Sequence, residues 1–401
     1  MAASRVSITR VPAYDSDVVL TGMRACLAPL GGMEAFVKPG QRVLLKPNLL
    51  AGMAPERAVT THPTVVAAAI FLVREAGGVP SVGDSPGVGD LAGVAKPTGI
   101  QNVLDETHTP LADFGRTTVF DSERNVIGKR MQLARALAEA DVVITLPKLK
   151  THVQMTFTGA IKNQFGLIPG VAKGKFHLRL QEIDHLAELI VDINLLARPA
   201  LAIMDAIEAM EGDGPNGGEP RHVGLMLAGS DLTAVDATAC RIVGIDALRV
   251  PTTAAAVRRG CGVAAEDRIE ICGPALDEVR IPDFKPVAHL KDALNILPLP
   301  RGVIRRVRAQ WAARPRIERA VCIQCYACRN GCPVVPPAID PDRAAGAEVD
   351  DRSCIRCYCC HEFCPVKAVS LREPWLERRL KLTRVLNWMS VHLRRLLSPL
   401  I

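Results

Sequence analysis

The stretch RVLLKPNLLAGMAPERAVTTHPTVVAAAIFLVREAGGVPSVG, residues 42–83, decides the fold class. Its first residues, Arg42–Lys46, are a short apolar run stopped by Pro47-Asn48. His62–Ala76 reads as a helix, with Pro63 in the first turn, where its missing N–H leaves no bond unmade, and Gly77-Gly78 closing it. Val79–Gly83 is a second strand, followed by the turn Asp84-Ser85-Pro86-Gly87. Strand, helix and strand in this order make a βαβ unit, which lays two parallel strands in one sheet.

The same alternation continues outward. Met131–Ala140 reads as a helix, Asp141–Leu146 as a buried strand, and Arg179–Ala197 as a long amphipathic helix. Ala200–Asp205 and Val223–Ala228 are further strands, and Asp231 is placed to cap a helix over Leu232–Val243 that ends at Gly244. Residues 1–290 are therefore expected to form an α/β domain with a doubly wound, largely parallel sheet. Apolar residues make up 48% and aromatics only 4%, which suits a sheet core of Val, Leu, Ile and Ala. It excludes a disordered, collagen-like or coiled-coil chain. Residues 291–319 are rich in Pro and Arg and read as a linker; residues 320–371 form a small α+β cysteine module.

Residues 374–401 read as a basic amphipathic helix. Leu382, Leu386, Met389, Leu393 and Leu396 make one stripe among Arg378, Arg379, Lys381, Arg384, Arg394 and Arg395. Such a helix docks on its own core or meets a membrane surface or a partner. Met1–Arg10 shows no secretory pattern and no run of 18 apolar residues exists. The expected location is the cytoplasm, with peripheral contact on the inner face of the membrane open through this helix. The net charge of +7 is uneven: residues 301–401 hold 19 Lys+Arg against 9 Asp+Glu. Neither stacking aromatics nor a helix-turn-helix pattern accompanies that charge, so nucleic acid is not an expected partner.

Nine of the thirteen cysteines lie between Cys322 and Cys364. They form two matching runs, Cys322-x2-Cys325-x2-Cys328-x3-Cys332-Pro333 and Cys354-x2-Cys357-x2-Cys360-x3-Cys364-Pro365. Three cysteines at two-residue gaps wrap a cubane, and the fourth, before Pro, reaches the other cluster. One [4Fe–4S] cluster is thus assigned to Cys322, Cys325, Cys328 and Cys364, and a second to Cys354, Cys357, Cys360 and Cys332. This is the pattern of the bacterial two-cluster ferredoxins. The plainer reading is a pair of four-cysteine zinc sites, which usually show two CxxC pairs across a longer gap. Cys359 breaks the spacing. No GxGxxG follows an expected strand, and no Walker A motif is present.

From Val142 to Gln181 there is no acidic residue, while Lys148, Lys150, Lys162, Lys173, Lys175, Arg179, His152 and His177 all fall there. The run starts where a strand ends, and ligand sites of open α/β sheets lie beyond the carboxyl ends of strands. Lys46 ends another strand and points to the same edge. A small anionic molecule, a carboxylate or a phosphate, is the expected ligand; the plainer reading is a solvated basic loop. Met204–Pro220 reads as an acidic, glycine-rich turn containing Asp205, Glu208, Glu211 and Asp213. Its carboxylates serve as a base, hold a divalent metal, or form ion pairs, and spacing does not separate these. Asp84, Ser85 and His62 are further strand-end or helix-start candidates, and His62 before Pro63 also suits a capping role.

At several of these residues the chain resembles the family called domain of unknown function 362. The matching segments are Leu45-Lys46-Pro47-Asn48, Thr61-His62-Pro63, Gly83-Asp84-Ser85-Pro86-Gly87, Leu146–His152, Gly159-Ala160-Ile161-Lys162-Asn163 and Met210–Pro215. The resemblance covers roughly residues 5–290, and the family often carries an appended ferredoxin module. It implies architecture and cofactor, not an activity. The family is distantly similar to the N-terminal domain of nickel-pincer lactate racemases, a likeness of fold that implies no racemase chemistry.

The leading expectation is an iron–sulfur oxidoreductase or electron-transfer protein that passes single electrons to or from a small anionic substrate. Lys148, Lys150, His152 and Lys162 would stabilise developing negative charge, and Asp205 or Glu211 would handle protons. Lys46, Asn48, Asp84, Ser85 and Asn163 would bind the substrate, and a redox partner protein would exchange electrons. The alternative is a carrier or assembly factor that docks on a partner protein or membrane complex.

Overall fold

In the computed structural model, which describes residues 3–87, 89–170, 172–287 and 312–373, the chain divides into two units, Met1–Pro286 and Val287–Ile401. The first opens with strand β1 (Ser4–Arg10) and helix α1 (Ser16–Leu27). Asp15 caps α1 by accepting the N–H groups of Asp17 and Val18. Next come β2 (Arg42–Pro47), α2 (Pro63–Glu75) and β3 (Val79–Val82), the βαβ unit as read. Helices α3 (Leu91–Ala95) and α4 (Ile100–Thr107) precede a hairpin of β4 (Thr117–Asp121) and β5 (Arg130–Ala134), then α5 (Arg135–Glu139). Strands β6 (Val142–Leu146), β7 (Lys148–His152) and β8 (Thr156–Thr158) lead to α6 (Ala160–Asn163), α7 (Ala172–Arg179) and α8 (Ile183–Ala197). The unit ends with β9 (Leu201–Glu211), β10 (Glu219–Gly229), α9 (Leu232–Ile242), α10 (Pro251–Arg258), β11 (Ile269–Cys272) and α11 (Leu276–Val279).

The main sheet runs β11-β1-β10-β9-β6-β2-β3, with β7 paired to β8 and β9. It is mixed but largely parallel: β2·β3, β2·β6, β6·β9, β7·β9 and β1·β11 are parallel, and β1·β10, β9·β10 and β7·β8 antiparallel. Side-chain alternation splits the core between two faces. Val43, Leu45, Ile144 and Leu146 pack with α1 and α2, whereas Leu44 and Val143 pack with α8. Helices therefore cover both faces, as double winding requires.

Three readings of the sequence are corrected. Met131–Ala140 is not one helix: Met131 and Leu133 are buried and Gln132 exposed, a period of two, because Arg130–Ala134 pairs with Thr117–Asp121. The helix over Arg179–Ala197 breaks at residues 180–182 into α7 and α8. Met204–Pro220 is not a loop but mostly strand: β9 continues to Glu211, pairs with β10, and leaves only residues 212–218 to turn. Acidic and glycine content suggested a turn there, but nearly every β9 residue is buried.

In the second unit, β12 (Arg314–Ile317) pairs antiparallel with β13 (Val369–Arg372), and an isolated bridge joins Ile339 to Val349. Arg314–Ile317 fell within the expected linker; Pro315 is tolerated because every strand of a two-stranded sheet is an edge. One-turn helices α12 (Ala327–Asn330) and α13 (Cys359–Glu362) carry cysteines. Ile317, Ile339, Ala368 and Val369 form the core together with Cys328, Cys360 and Cys364. The amphipathic helix expected over 374–401 lies outside the described residues, as does most of the linker.

Candidate functional site

Three lysines, Lys46, Lys148 and Lys150, are almost wholly buried, at 0%, 0% and 1% exposure. All three lie at or just past the carboxyl ends of β2 and β6. Burying an ammonium is costly unless it is paired or hydrogen-bonded, and each has a different answer.

Lys46 donates to Asp84 Oδ1 at 2.7 Å. Asp84 is further held by the Ser85 N–H at 2.9 Å and by the Leu49 N–H, on Oδ2, at 2.8 Å. Burial lowers the Lys46 pKa and the Asp84 charge opposes that. Gly166 closes over this pair: a Cβ there would stand 1.9 Å from Asp84 Oδ1 and 2.7 Å from Lys46 Nζ. Above it, the segment leading into α7 is tied to the Asp84–Pro86 turn. The Ser85 N–H donates to the Gly166 carbonyl and the Gly170 N–H to Ser85 Oγ. The Lys173 amine donates to the carbonyls of Ser85 and Pro86, the latter at 3.0 Å. Burial, with Lys46 and Lys162 close by, brings the Lys173 amine down to about 7, against the pull of Asp84. His177 on the same helix is brought to about 4 by burial and by Lys162. Its ring stands edge-on to Phe165, and its Nδ1 is buried without a hydrogen-bond partner among the described residues.

Lys150 donates to Asn48 Oδ1 at 2.9 Å and to the Val59 carbonyl at 2.5 Å. Asn48 in turn donates to Asn163, whose amide donates to Thr145 Oγ1 at 2.8 Å and to the Lys46 carbonyl at 3.1 Å. This chain joins the second lysine to the first. Asn163 is fixed because its short helix α6 is anchored from α9: Asp236 accepts the N–H groups of Ala160 at 2.6 Å and Ile161 at 3.1 Å. Burial raises the Asp236 carboxyl to about 7, against those two bonds. Gly159 is required here, since a Cβ would stand 2.1 Å from Asp236 Oδ1.

Lys148 pairs with Asp205 at 2.9 Å, across the register that sets β7 beside β9. Asp205 also accepts Tyr14 Oη at 2.7 Å, the His62 N–H at 2.9 Å and the Ile207 N–H at 3.3 Å, so four donors engage its two oxygens. Tyr14 Oη accepts from Lys148 and from the Glu208 N–H, and burial is the main cause that raises its pKa. The Tyr14 ring stacks on His62 at 3.6 Å. His62 caps α2 through Nδ1 and is brought to about 4, chiefly by burial.

The candidates read from sequence are thus brought together in part. Lys46, Asp84 and Ser85 share one group, and Asn48, Lys150 and Asn163 the adjoining one; Lys162 acts electrostatically on Lys173 and His177. Lys148 and Asp205 form a separate closed ion pair. His152 uses Nδ1 to accept the N–H groups of Gln154 and Met155, holding the β7–β8 turn. Glu211 turns to Lys285, accepting its N–H at 3.1 Å and facing its amine at 3.3 Å. Sequence reasoning missed Tyr14 and Asp236, and placed Lys173 and His177 only within an acid-free run. Among the described residues no three His, Cys, Asp or Glu side chains converge as a group to hold a single metal ion, beside Asp205 or elsewhere.

In the second unit two cavities lie among the cysteines. Cys322, Cys325, Cys328 and Cys364 line one, and Cys332, Cys354, Cys357 and Cys360 the other. Each run therefore contributes three thiols to its own cavity and one to its neighbour's. The loops repeat in backbone as well: Gln324 and Tyr326 in the first, Arg356 and Tyr358 in the second, have φ of 52°, 58°, 55° and 60°. Left-handed residues at matching places alternate with ordinary ones, the conformation that makes anion-binding concavities of backbone N–H groups. Cys359 lies outside both cavities, buried beside Cys357. Soft thiolates in fours around a cavity suit an iron–sulfur group, whereas among the described residues no three of these side chains converge on a point that would hold one zinc ion.

Residues 43–241 match the family described as a domain of unknown function, DUF362. A relative, the thylakoid-associated protein sll1697 of Synechocystis sp., is 41% identical over 265 residues, 65% of this chain and 81% of that protein. The chain belongs to this family. Among solved structures, the lactate racemase apoprotein of Thermoanaerobacterium thermosaccharolyticum matches 58% of this chain and 55% of its own, at 11% identity and a TM-score of 0.39. A Thermotoga maritima protein matches 62% and 60%, at 13% identity and a TM-score of 0.34. The chain spans less than two thirds of either, and likeness at this level says nothing of a reaction. Among the described residues no helix is long and apolar enough to cross a membrane.

Proposed function

We propose that this chain is an iron–sulfur oxidoreductase in which the second unit carries two [4Fe–4S] clusters and the α/β unit binds a small anionic redox substrate. The observation that carries the reading is the pair of four-thiol cavities with the fourth cysteine exchanged between runs. Zinc sites of four cysteines do not need that exchange; two cubanes wrapped by CxxCxxC loops do. Cys322, Cys325, Cys328 and Cys364 would hold one cluster, and Cys354, Cys357, Cys360 and Cys332 the other. Such clusters supply one-electron transfer, fed by a redox partner protein.

The substrate's negative charge is met by Lys162 and Lys173 near the carboxyl edge of β2 and β3, with Lys46 buried beneath in its pair with Asp84. Lys173 suits proton exchange, since its amine lies near neutrality and rests on carbonyls rather than a carboxylate. Asn48 and Asn163 orient the ligand-facing edge, and Asp84 keeps Lys46 charged. Lys148 and Asp205 act structurally in this reading.

Anaerobically purified protein should contain about eight iron and eight sulfide per chain. After dithionite reduction, a small anionic metabolite should restore the oxidised visible spectrum, and Lys162→Ala should slow that reoxidation at least about tenfold while leaving the iron content unchanged. Zinc in place of iron, or reoxidation indifferent to Lys162, contradicts the reading.

A second reading is favoured by the relative's thylakoid association: a carrier that meets a membrane or partner complex through the basic segment 375–401. Removing that segment should then abolish binding to anionic vesicles and leave reoxidation by small molecules intact. If only membrane fractions reoxidise the protein, this reading replaces the first.

A further inference from the structure

A cavity of about 340 Å³ opens in the α/β unit at the end of α8 and the start of α9, lined by residues from α6, α8, α9, α10 and the β4–β5 turn. It lies off the lysine edge, because α8 ends here and feeds the amino end of β9, whereas the lysines follow the carboxyl ends of β2 and β6. None of its lining residues belongs to the lysine groups, so a ligand held here is independent of the proposed redox function.

Its floor is apolar: Ile161, Val191 and Ala256 belong to the buried core packed on α8, and Leu232 packs against it. Its polar wall differs. Arg124 and Arg198 line it, and neither has a carboxylate partner among the described residues. Neighbouring arginines do: Arg258 pairs with Glu188 at 2.9 Å, and Arg259 with Asp192 at 2.7 Å. The carboxylate of Asp231 also lines the cavity, but its oxygens are engaged by Ser4 Oγ and by the N–H groups of Thr233, Ala234 and Val263. Two guanidinium groups beside one engaged carboxylate leave a single positive charge to be met. Ligand sites of this size are mostly apolar with a few placed polar groups, and guanidinium matches a carboxylate through two parallel hydrogen bonds.

We infer that this cavity is a second ligand site, taking a small monocarboxylate whose apolar body lies on the Ile161–Ala256 floor and whose carboxylate faces Arg124 and Arg198. The cavity also exposes a reporter, since Cys261 lines it and is partly accessible.

Calorimetric titration of the full chain with hexanoate, acetate and hexanol separates the contributions. Hexanoate should bind, and acetate more weakly by about fourfold for each methylene lost. Arg124→Ala with Arg198→Gln, both at exposed positions, should weaken hexanoate about tenfold and leave hexanol unchanged. Hexanoate should also slow iodoacetamide labelling of Cys261, read by peptide mass spectrometry against Cys272 as the internal reference. No hexanoate binding, acetate or hexanol equal to hexanoate, indifference to the arginine changes, or unprotected Cys261 would each overturn the assignment.

Discussion

Lys148 and Lys162 look alike in the sequence, both basic residues in one acid-free run, yet the structure separates their roles. Lys148 is fully buried against Asp205, so Lys148→Ala strands a buried carboxylate and should cost about 3–5 kcal/mol in urea unfolding. Loss of activity in that variant therefore says little about catalysis. Lys162 is only half-buried, and Lys162→Ala should cost under about 1 kcal/mol. Asp236 gives a pH signature. Its folded carboxyl lies at about 7 against an ordinary value of 3.8, so the folded state holds the proton more tightly. Its contribution to stability is complete below about pH 4 and is lost as pH rises through about 7. Asp236→Asn should flatten that part of the stability–pH curve; an unchanged slope contradicts the assignment. That strand ends would carry the site was legible at Lys46 and Asp84. Which carboxylate meets which lysine was not, because those partners are 38 and 57 residues apart and are joined only by sheet order.

Among the elements, local chemistry was readable and distant pairing was not. His62 and Pro63 announced the start of α2, and Asp231 that of α9, because capping is local chemistry. The β4–β5 hairpin escaped because its partners, not its composition, make it strand, and β9 and β10 were read only in part, as Ala200–Asp205 and Val223–Ala228, because their pairing carries each on toward the turn. In the cysteine loops the repeated spacing was visible but the left-handed residues were not. Gln324 is exposed with φ of 52°. Gln324→Gly should stabilise the second unit by about 0.5–1 kcal/mol, raising its unfolding midpoint, and Gln324→Val should destabilise it by about 1–2 kcal/mol, lowering the midpoint. Equal midpoints for the two would mean that the loop relaxes out of this conformation.

Over the molecule as a whole, each unit has its own core, but the cores differ in means. The α/β unit buries a large, mainly aliphatic sheet core, whereas in the second unit three of the seven buried core residues among those described, Cys328, Cys360 and Cys364, are cysteines. On the proposed reading, a unit that small would lean on its clusters for stability. Chelation of iron under reducing conditions should therefore lower the second unit's calorimetric transition and leave that of the α/β unit in place.

Paired cysteine variants decide whether the two cysteine runs exchange their fourth ligand. Cys322→Ala with Cys364→Ala removes two thiols from one cavity, and iron and sulfide should fall to about four of each per chain, with one intact cluster in the electron paramagnetic resonance spectrum. Cys322→Ala with Cys332→Ala, two changes within one run, should damage both clusters. If instead the second pair leaves one cluster whole and the first pair harms both, each run holds its own metal group, and the exchanged arrangement is wrong.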